Sequence, residues 1–232
     1  MRGARVLAFV MIAALFAVPF TMADSLVGDF STVSNPNGQW AYGVANALGG
    51  PLSLYTLVGS GDCGAPLLGW DNTASPPYVL ANKSGAPARC TTSALVPDNF
   101  LDLHPSSTGQ YSVVQWTAPG TGSMRIDGLF QGLDFVGPTS TDVHILMNGS
   151  SIWDANIDSY NVPVPFDIVV GVQTGDTIDF AVGFGSNKNY YYDSTGLQGS
   201  INYVPEPGTF VMLGSGLLGL SGLLRRIPLT VG

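Results

Sequence analysis

The chain has 232 residues, of which 10% are charged, with 30 Gly, 16 Pro and a formal net charge of −8. That length suits one ordinary domain with short flanking segments, and so low a charge content excludes a coiled coil or a charged disordered tail. Every acid but Glu206 is an aspartate, a residue of turns and caps, and only Lys83, Arg89, Arg125 and Lys188 lie between the terminal arginines. Such a surface repels phosphate backbones, so nucleic acid is excluded as a partner.

The first segment, residues 1–23, has the layout of a secretory signal peptide. Arg2 and Arg5 form a positive start, Val6 to Val18 is uncharged and apolar, and Pro19 ends the run. Thr21-Met22-Ala23 then supplies small residues at the −3 and −1 positions, so signal peptidase is expected to cut between Ala23 and Asp24. Thirteen apolar residues fall short of the ~20 that span a bilayer, which argues against a permanent anchor.

Residues 24–203 read as strands almost throughout. Expected strands are Trp40–Val44, Leu52–Val58, Tyr111–Thr117, Met124–Phe130 and Gly199–Val204. Val143–Met147 and Ser151–Asn156 flank Asn148-Gly149, the pairing favoured by type I′ hairpin turns. Val164, Phe166, Ile168 and Val170 alternate with other residues at period 2, as do Ile178, Phe180, Val182 and Phe184. The intervening Gln173-Thr174-Gly175-Asp176 suggests a second hairpin. No window shows helical periodicity with caps. Many short strands with frequent turns predict an all-β domain, a single jelly-roll-like β-sandwich.

Cys63 and Cys90 are the only cysteines, and in an exported chain an even count predicts one disulfide. It would enclose Gly64 to Arg89, a Pro-, Gly- and Ala-rich stretch that reads as having little rigidity of its own.

Residues 204–232 form a third segment. Pro205-Glu206-Pro207 is followed by the apolar run Phe210–Leu224 and then by Arg225-Arg226. Fifteen residues rise about 22 Å, short of a ~30 Å hydrocarbon core, so this short transmembrane helix suits temporary retention. The ordered triple of motif, apolar run and arginine pair resembles the PEP-CTERM protein-sorting signal. The resemblance implies recognition of Pro205, Glu206 and Pro207 by an exosortase in a Gram-negative bacterium. It further implies transient anchoring in the inner membrane, removal of the tail, and delivery to the cell surface or an extracellular matrix. Ile227 to Gly232 continue past the arginines, where most such tails stop.

A looser resemblance covers the body. Ser34-Asn35-Pro36-Asn37-Gly38-Gln39-Trp40-Ala41-Tyr42-Gly43, Leu103-His104-Pro105, Val114–Pro119 and Gly175–Phe180 are similar to exported bacterial domains that precede this tail. Those domains are like jelly-roll carbohydrate-binding modules, which implies a glycan-related setting.

Chemistry is sparse. No Gly-x-Ser-x-Gly elbow, HExxH helix or Walker loop occurs in the mature body, and His104 and His144 are the only histidines. No catalytic residue is assigned and the chain is not expected to be an enzyme. Asp154, Asn156 and Asp158 place oxygens at the first three odd positions of a calcium loop. Ser159 and Pro165 then stand where an EF-hand wants Gly and an acid. A looser Ca²⁺ site there stays open beside the plainer reading of turn-forming aspartates, and no other cofactor is expected.

Aromatic residues are the remaining lead, because sugars stack on exposed rings while Asn and Asp bond their hydroxyls. The candidate glycan-binding residues are Trp40, Tyr42, Tyr190, Tyr191, Tyr192 and Asp193. The expected function is a non-catalytic surface or matrix protein that engages exopolysaccharide. The alternatives are an Asp-dependent polysaccharide hydrolase and a purely structural or adhesive surface protein.

Overall fold

The computed structural model describes residues 23–73, 75–137 and 139–204. Most of the expected signal segment, and the tail from Pro205 onward with its expected short transmembrane helix, lie outside the described residues. All sixteen elements within them are strands. In chain order these begin with β1 (Ala23–Ser25), β2 (Trp40–Ala45), β3 (Leu52–Leu54), β4 (Leu57–Gly59) and β5 (Leu68–Asp71). Next come β6 (Tyr78–Asn82), β7 (Ala88–Cys90), β8 (Ala94–Val96), β9 (Phe100–His104) and β10 (Tyr111–Thr117). The chain continues through β11 (Gly122–Gly132), β12 (Thr141–Met147), β13 (Ser150–Ile157), β14 (Val164–Val172), β15 (Thr177–Gly183) and β16 (Thr195–Val204).

Two antiparallel sheets face each other as a jelly-roll-like sandwich. One runs β14-β11-β16-β9-β6-β5-β4, with β1 paired to β16, and the other runs β13-β12-β15-β10-β2-β3. Alternating apolar residues from both sheets fill the space between them: Val114, Trp116, Ile126, Phe130, Val143, Ile145, Phe166, Ile178, Phe180 and Ile201 are all buried in one core. Phe130 stacks on Trp153 at 5.9 Å, and Phe166 meets Phe180 at 6.0 Å across the sheets.

The Asn148-Gly149 turn joins β12 to β13 with φ of 50° and 77°, the left-handed pair that a type I′ turn requires. The other expected hairpin is corrected. Among the described residues β14 pairs only with β11, while β15 pairs with β10 and β12 in the opposite sheet, so residues 173–176 arch across the sandwich. Asp176 fastens the arch by accepting from the Gln173 N–H and from Asn148, while Gly175 donates to the Ala118 carbonyl. Two strands with matching apolar faces can lie side by side or face to face, and here they lie face to face.

The single expected strand Leu52–Val58 is also two. Buried Tyr55 turns inward between β3 and β4, bonding its hydroxyl to Ser112 and its N–H to the Tyr42 carbonyl, and the chain changes sheets there. Far from lacking order, the stretch between the cysteines contains β5 and β6. Every residue of β6 is buried, as is every residue of β9, so neither shows period-2 alternation. Above them the β7–β8 ribbon closes a second small core of Leu67, Leu80, Ala88, Val96 and Leu133.

β1 runs antiparallel to β16, with Ala23 opposite Asn202 and Asp24 opposite Ile201. Asp24 is buried, and its carboxylate accepts a 2.7 Å hydrogen bond from the Trp116 indole N–H.

Candidate functional site

The start of β6, the end of β9 and the start of β16 come together at one end of the larger sheet, where Tyr78 lies opposite His104 and Leu103 opposite Thr195. Loops from separate parts of the chain rise around this end and enclose an open pocket of about 380 Å³. That volume lies within the range of small-molecule sites. One wall is the loop between β15 and β16, carrying Tyr190, Tyr191, Tyr192 and Ser194. The lining also includes Asp62 on the β4–β5 connection, Cys90-Thr91 and Ser93 at the β7–β8 turn, and Asp134 after β11.

The tyrosine loop is built from short polar turns. Asn187 Oδ1 accepts from the Asn189 N–H, and Asn189 Oδ1 accepts from the Tyr191 N–H, two successive Asx turns. Asn187 also donates to Ser140. Tyr190 lies 4.5 Å from Tyr191, centroid to centroid, and edge-on to His104 at 6.1 Å. Tyr191 is 62% exposed and Tyr192 45%, so both offer ring faces to solvent. Tyr192 adopts a φ of 65° and packs against Gly137, where a Cβ would collide with its ring.

His104 forms part of the floor. Its Nδ1–H donates to the Pro105 carbonyl at 2.9 Å, and burial holds its pKa below the usual imidazole value, so the ring is neutral. Asp134 is buried at the pocket lining, where Oδ1 accepts from Ser93 Oγ and Oδ2 from the Ser194 N–H. Behind Ser194 lies fully buried Asp102, with Oδ1 unpartnered. Burial, reinforced by the charges of Asp134 and Asp62, raises its pKa well above the ordinary carboxylate range.

The Cys63–Cys90 disulfide is formed, and Tyr78 Oη approaches both sulfurs, at 3.5 and 3.6 Å. It ties the connection that carries Asp62 to the end of β7, and Gly61 beside it has a φ of 56° with no room for a Cβ against the Tyr78 ring. Asp62 itself is exposed and meets no Lys or Arg among the described residues.

The candidate residues divide sharply by position. Tyr190, Tyr191 and Tyr192 share the pocket wall. Asp193 does not face it: at 0% exposure it accepts from the Ser140 N–H and Oγ, and burial pushes its pKa up to about 6. It anchors the loop from below. Trp40 and Tyr42 are corrected as stacking surfaces, since they are 2% and 0% exposed and belong to the central core.

Asp154, Asn156 and Asp158 do not encircle an ion. Asp154 and Asn156 lie on β13 and Asp158 immediately follows it, so alternate side chains stand about 7 Å apart in a row instead of converging as in a loop. Among the described residues the one metal-like cluster is Asp62, Cys63 and Cys90, and its two thiols are consumed in the disulfide. Of the sorting residues, Pro205, Glu206, Pro207, Arg225 and Arg226 lie outside the described residues, while Ala23 and Asp24 form part of β1.

Sequence reasoning missed Asp62, Ser93, Asp134 and Ser194 as pocket lining. They come from four distant loops, and only the Asx-rich stretch before Tyr190 carried a local signal.

Residues 204–226 match the PEP-CTERM protein-sorting motif. No curated protein matches the chain. Among solved structures, one that the fold resembles is a CBM51 module of a Clostridium perfringens GH95 protein in complex with methyl-galactose. The TM-score is 0.34 at 11% identity, over 53% of this chain and 78% of that one. A structure of CBM51-2 with GlcNAc and INT domains from Clostridium perfringens ZmpB gives 0.38 at 13%, over 66% of this chain and 30% of that one. A family 35 carbohydrate-binding module from Clostridium thermocellum gives 0.30 at 14%, over 54% and 83%. These are distant likenesses of shape, and nothing about what this chain binds follows from them.

Proposed function

We propose that the protein is an exported, non-catalytic surface or matrix component, sorted by exosortase through its tail, whose sandwich binds a glycan in the tyrosine-walled pocket. The observation that carries the binding reading is the conjunction, in one open pocket, of exposed Tyr191 and Tyr192 faces with a rim of Ser and Thr hydroxyls. Exposed rings cover the apolar faces of a pyranose, and the hydroxyls and carboxylates bond its edges. The non-catalytic reading is supported by the state of Asp134, whose two oxygens are both engaged by Ser93 and Ser194. A hydrolase needs two carboxylates free to reach opposite sides of the scissile bond.

Sorting and fold are joined at one corner. Ala23 stands opposite Asn202, and β16 ends at Val204, where the matched motif begins. In this reading signal peptidase cuts before β1 docks, since the paired strand shields the Ala23–Asp24 bond. Exosortase then acts on the segment that follows β16, next to the new N-terminus.

The test uses the full chain in a zwitterionic, sugar-free detergent, titrated with exopolysaccharide from the producing cells while new reducing ends are assayed. Saturable binding without new ends, weakened at least tenfold by Tyr191→Ala, is expected. New reducing ends would establish the hydrolase instead, and neither signal would leave a structural surface protein. Replacing Pro205, Glu206 and Pro207 by alanine is expected to leave the tail attached and the protein in the inner membrane. Normal release of that variant would refute sorting through this motif.

A further inference from the structure

We propose that the pocket takes an amino sugar carrying a free ammonium group, in preference to its N-acetylated or neutral counterpart, and turns away uronates and other anionic sugars. This rests on the glycan-binding reading above and adds the sign of the charge.

None of the four basic residues between the two ends is among the residues that line the pocket. Arg125 is held by a two-pronged pair to Asp167 on the β11–β14 face, at 2.8 and 2.7 Å. Lys83 donates to the Gly28 carbonyl at 3.0 Å and approaches that of Phe30. Arg89 lies over the Phe135 ring at 5.3 Å. Lys188, although on the tyrosine loop, is absent from the pocket wall.

The lining itself combines Asp62 and Asp134 with three tyrosines and several hydroxyls, and among the described residues it contains no Lys or Arg. Asp62 is exposed and its carboxylate has no cationic partner among the described residues. Its charge is felt by its neighbours, contributing to the raised pKa values of Asp102, Asp134 and Tyr78. An anion entering this pocket meets that field with no cation among the described lining residues to offset it. An ammonium relieves it, and the same ammonium is attracted to the faces of the tyrosine rings. A carboxylate beside several aromatic faces is a chemical set suited to an alkylammonium, and the surrounding hydroxyls of Ser75, Thr91, Ser93 and Ser107 suit the rest of a sugar. Calcium-bridged binding of an anionic sugar is the contrary mechanism.

The experiment is calorimetric titration of the full chain, in the same sugar-free detergent, with length-matched oligomers of glucosamine, N-acetylglucosamine and galacturonate. Each is run with chelator and with added calcium. The expected result is one-to-one binding of the glucosamine oligomer, at least tenfold tighter than the N-acetylated one and weakening as salt is raised, with no binding of galacturonate. Asp62→Asn, at an exposed position, should leave the melting temperature unchanged and bring the two hexosamine oligomers to within about threefold of each other. Tyr191→Ala should weaken both and leave the glucosamine oligomer the tighter ligand, because the Asp62 charge remains, so the two variants separate charge from stacking.

Equal affinity for the two hexosamine oligomers would overturn the charge preference while leaving glycan binding intact. Binding of no oligomer and no exopolysaccharide would refute the parent reading. Calcium-dependent binding of galacturonate, unaltered preference in Asp62→Asn, or equally tight binding of pentalysine would each overturn the amino-sugar assignment.

Discussion

Replacing Cys63 and Cys90 together by alanine tests whether the disulfide supports the fold and holds one wall of the pocket. The cross-link closes a loop of sequence separation 27. In the chain-entropy account, a loop that long stabilises the folded state by about 3.5 kcal/mol, by restricting the unfolded chain. For a domain of this size each kcal/mol shifts the melting temperature by roughly 2–4 °C, so a fall of about 7–14 °C is expected. Serine is the poorer substitute: Cys90 is buried and Cys63 is not, so a hydroxyl would be desolvated at only one of the two positions. Urea unfolding followed by tryptophan fluorescence provides the assay, because Trp40, Trp70 and Trp116 are buried in the folded protein. Comparing oxidised and reduced wild type isolates the cross-link from the side-chain change, and the two differences should agree within about 1 kcal/mol. A loss below about 1 kcal/mol in both comparisons would refute the reasoning. A stability loss that leaves sugar affinity untouched would show that the bridge does not position Asp62.

Two further outcomes are expected. Asp193, Asp102 and Asp134 all have folded-state pKa values raised by burial, so the stability they contribute is present in acid and lost as pH rises through their folded values. The urea midpoint should therefore fall between about pH 4 and the Asp193 value of about 6, less steeply in Asp193→Asn, and a midpoint that climbs across this window would contradict the assignment. Asp24→Ala removes the acceptor for the buried Trp116 indole and should cost about 1–3 kcal/mol, with Asp24→Asn costing less because it keeps a carbonyl oxygen. Equal stability of wild type and the alanine variant in thermal unfolding would mean that this bond contributes nothing.

Strands with one face against the core were legible in the chain. β10 spans Tyr111–Thr117 as expected, and β12 agrees to within two residues at either end, because alternation reports which face meets the core. β6 and β9 were not legible, since burial on both faces removes the alternation. Exposed rings in the Tyr190–Tyr192 loop were legible because three consecutive tyrosines cannot all turn inward. Trp40 and Tyr42 misled for a related reason. They share a face of β2 with Val44, and the alternate residues Ala41, Gly43 and Ala45 are small, so the pattern gave no polar face to mark the solvent side. The outer face is itself covered: Ala45 packs with Val113, Leu146 and Ala181, and residues 47–50 close over them.

The amino-acid sequence by itself determined the all-β class, the pairing of Cys63 with Cys90 and the sorting motif that begins at Val204. These depend on composition, on local periodicity, or on a count that admits one solution. The tertiary structure alone decided that β14 and β15 face each other across the core, that Asp154, Asn156 and Asp158 stand in a row, and that Asp62 and Asp134 join the tyrosines. Which strand pairs with which, and which loops meet at a sheet end, depends on how apolar faces far apart in the chain are buried together. Local sequence carries the propensity of each segment but not the identity of its distant partner.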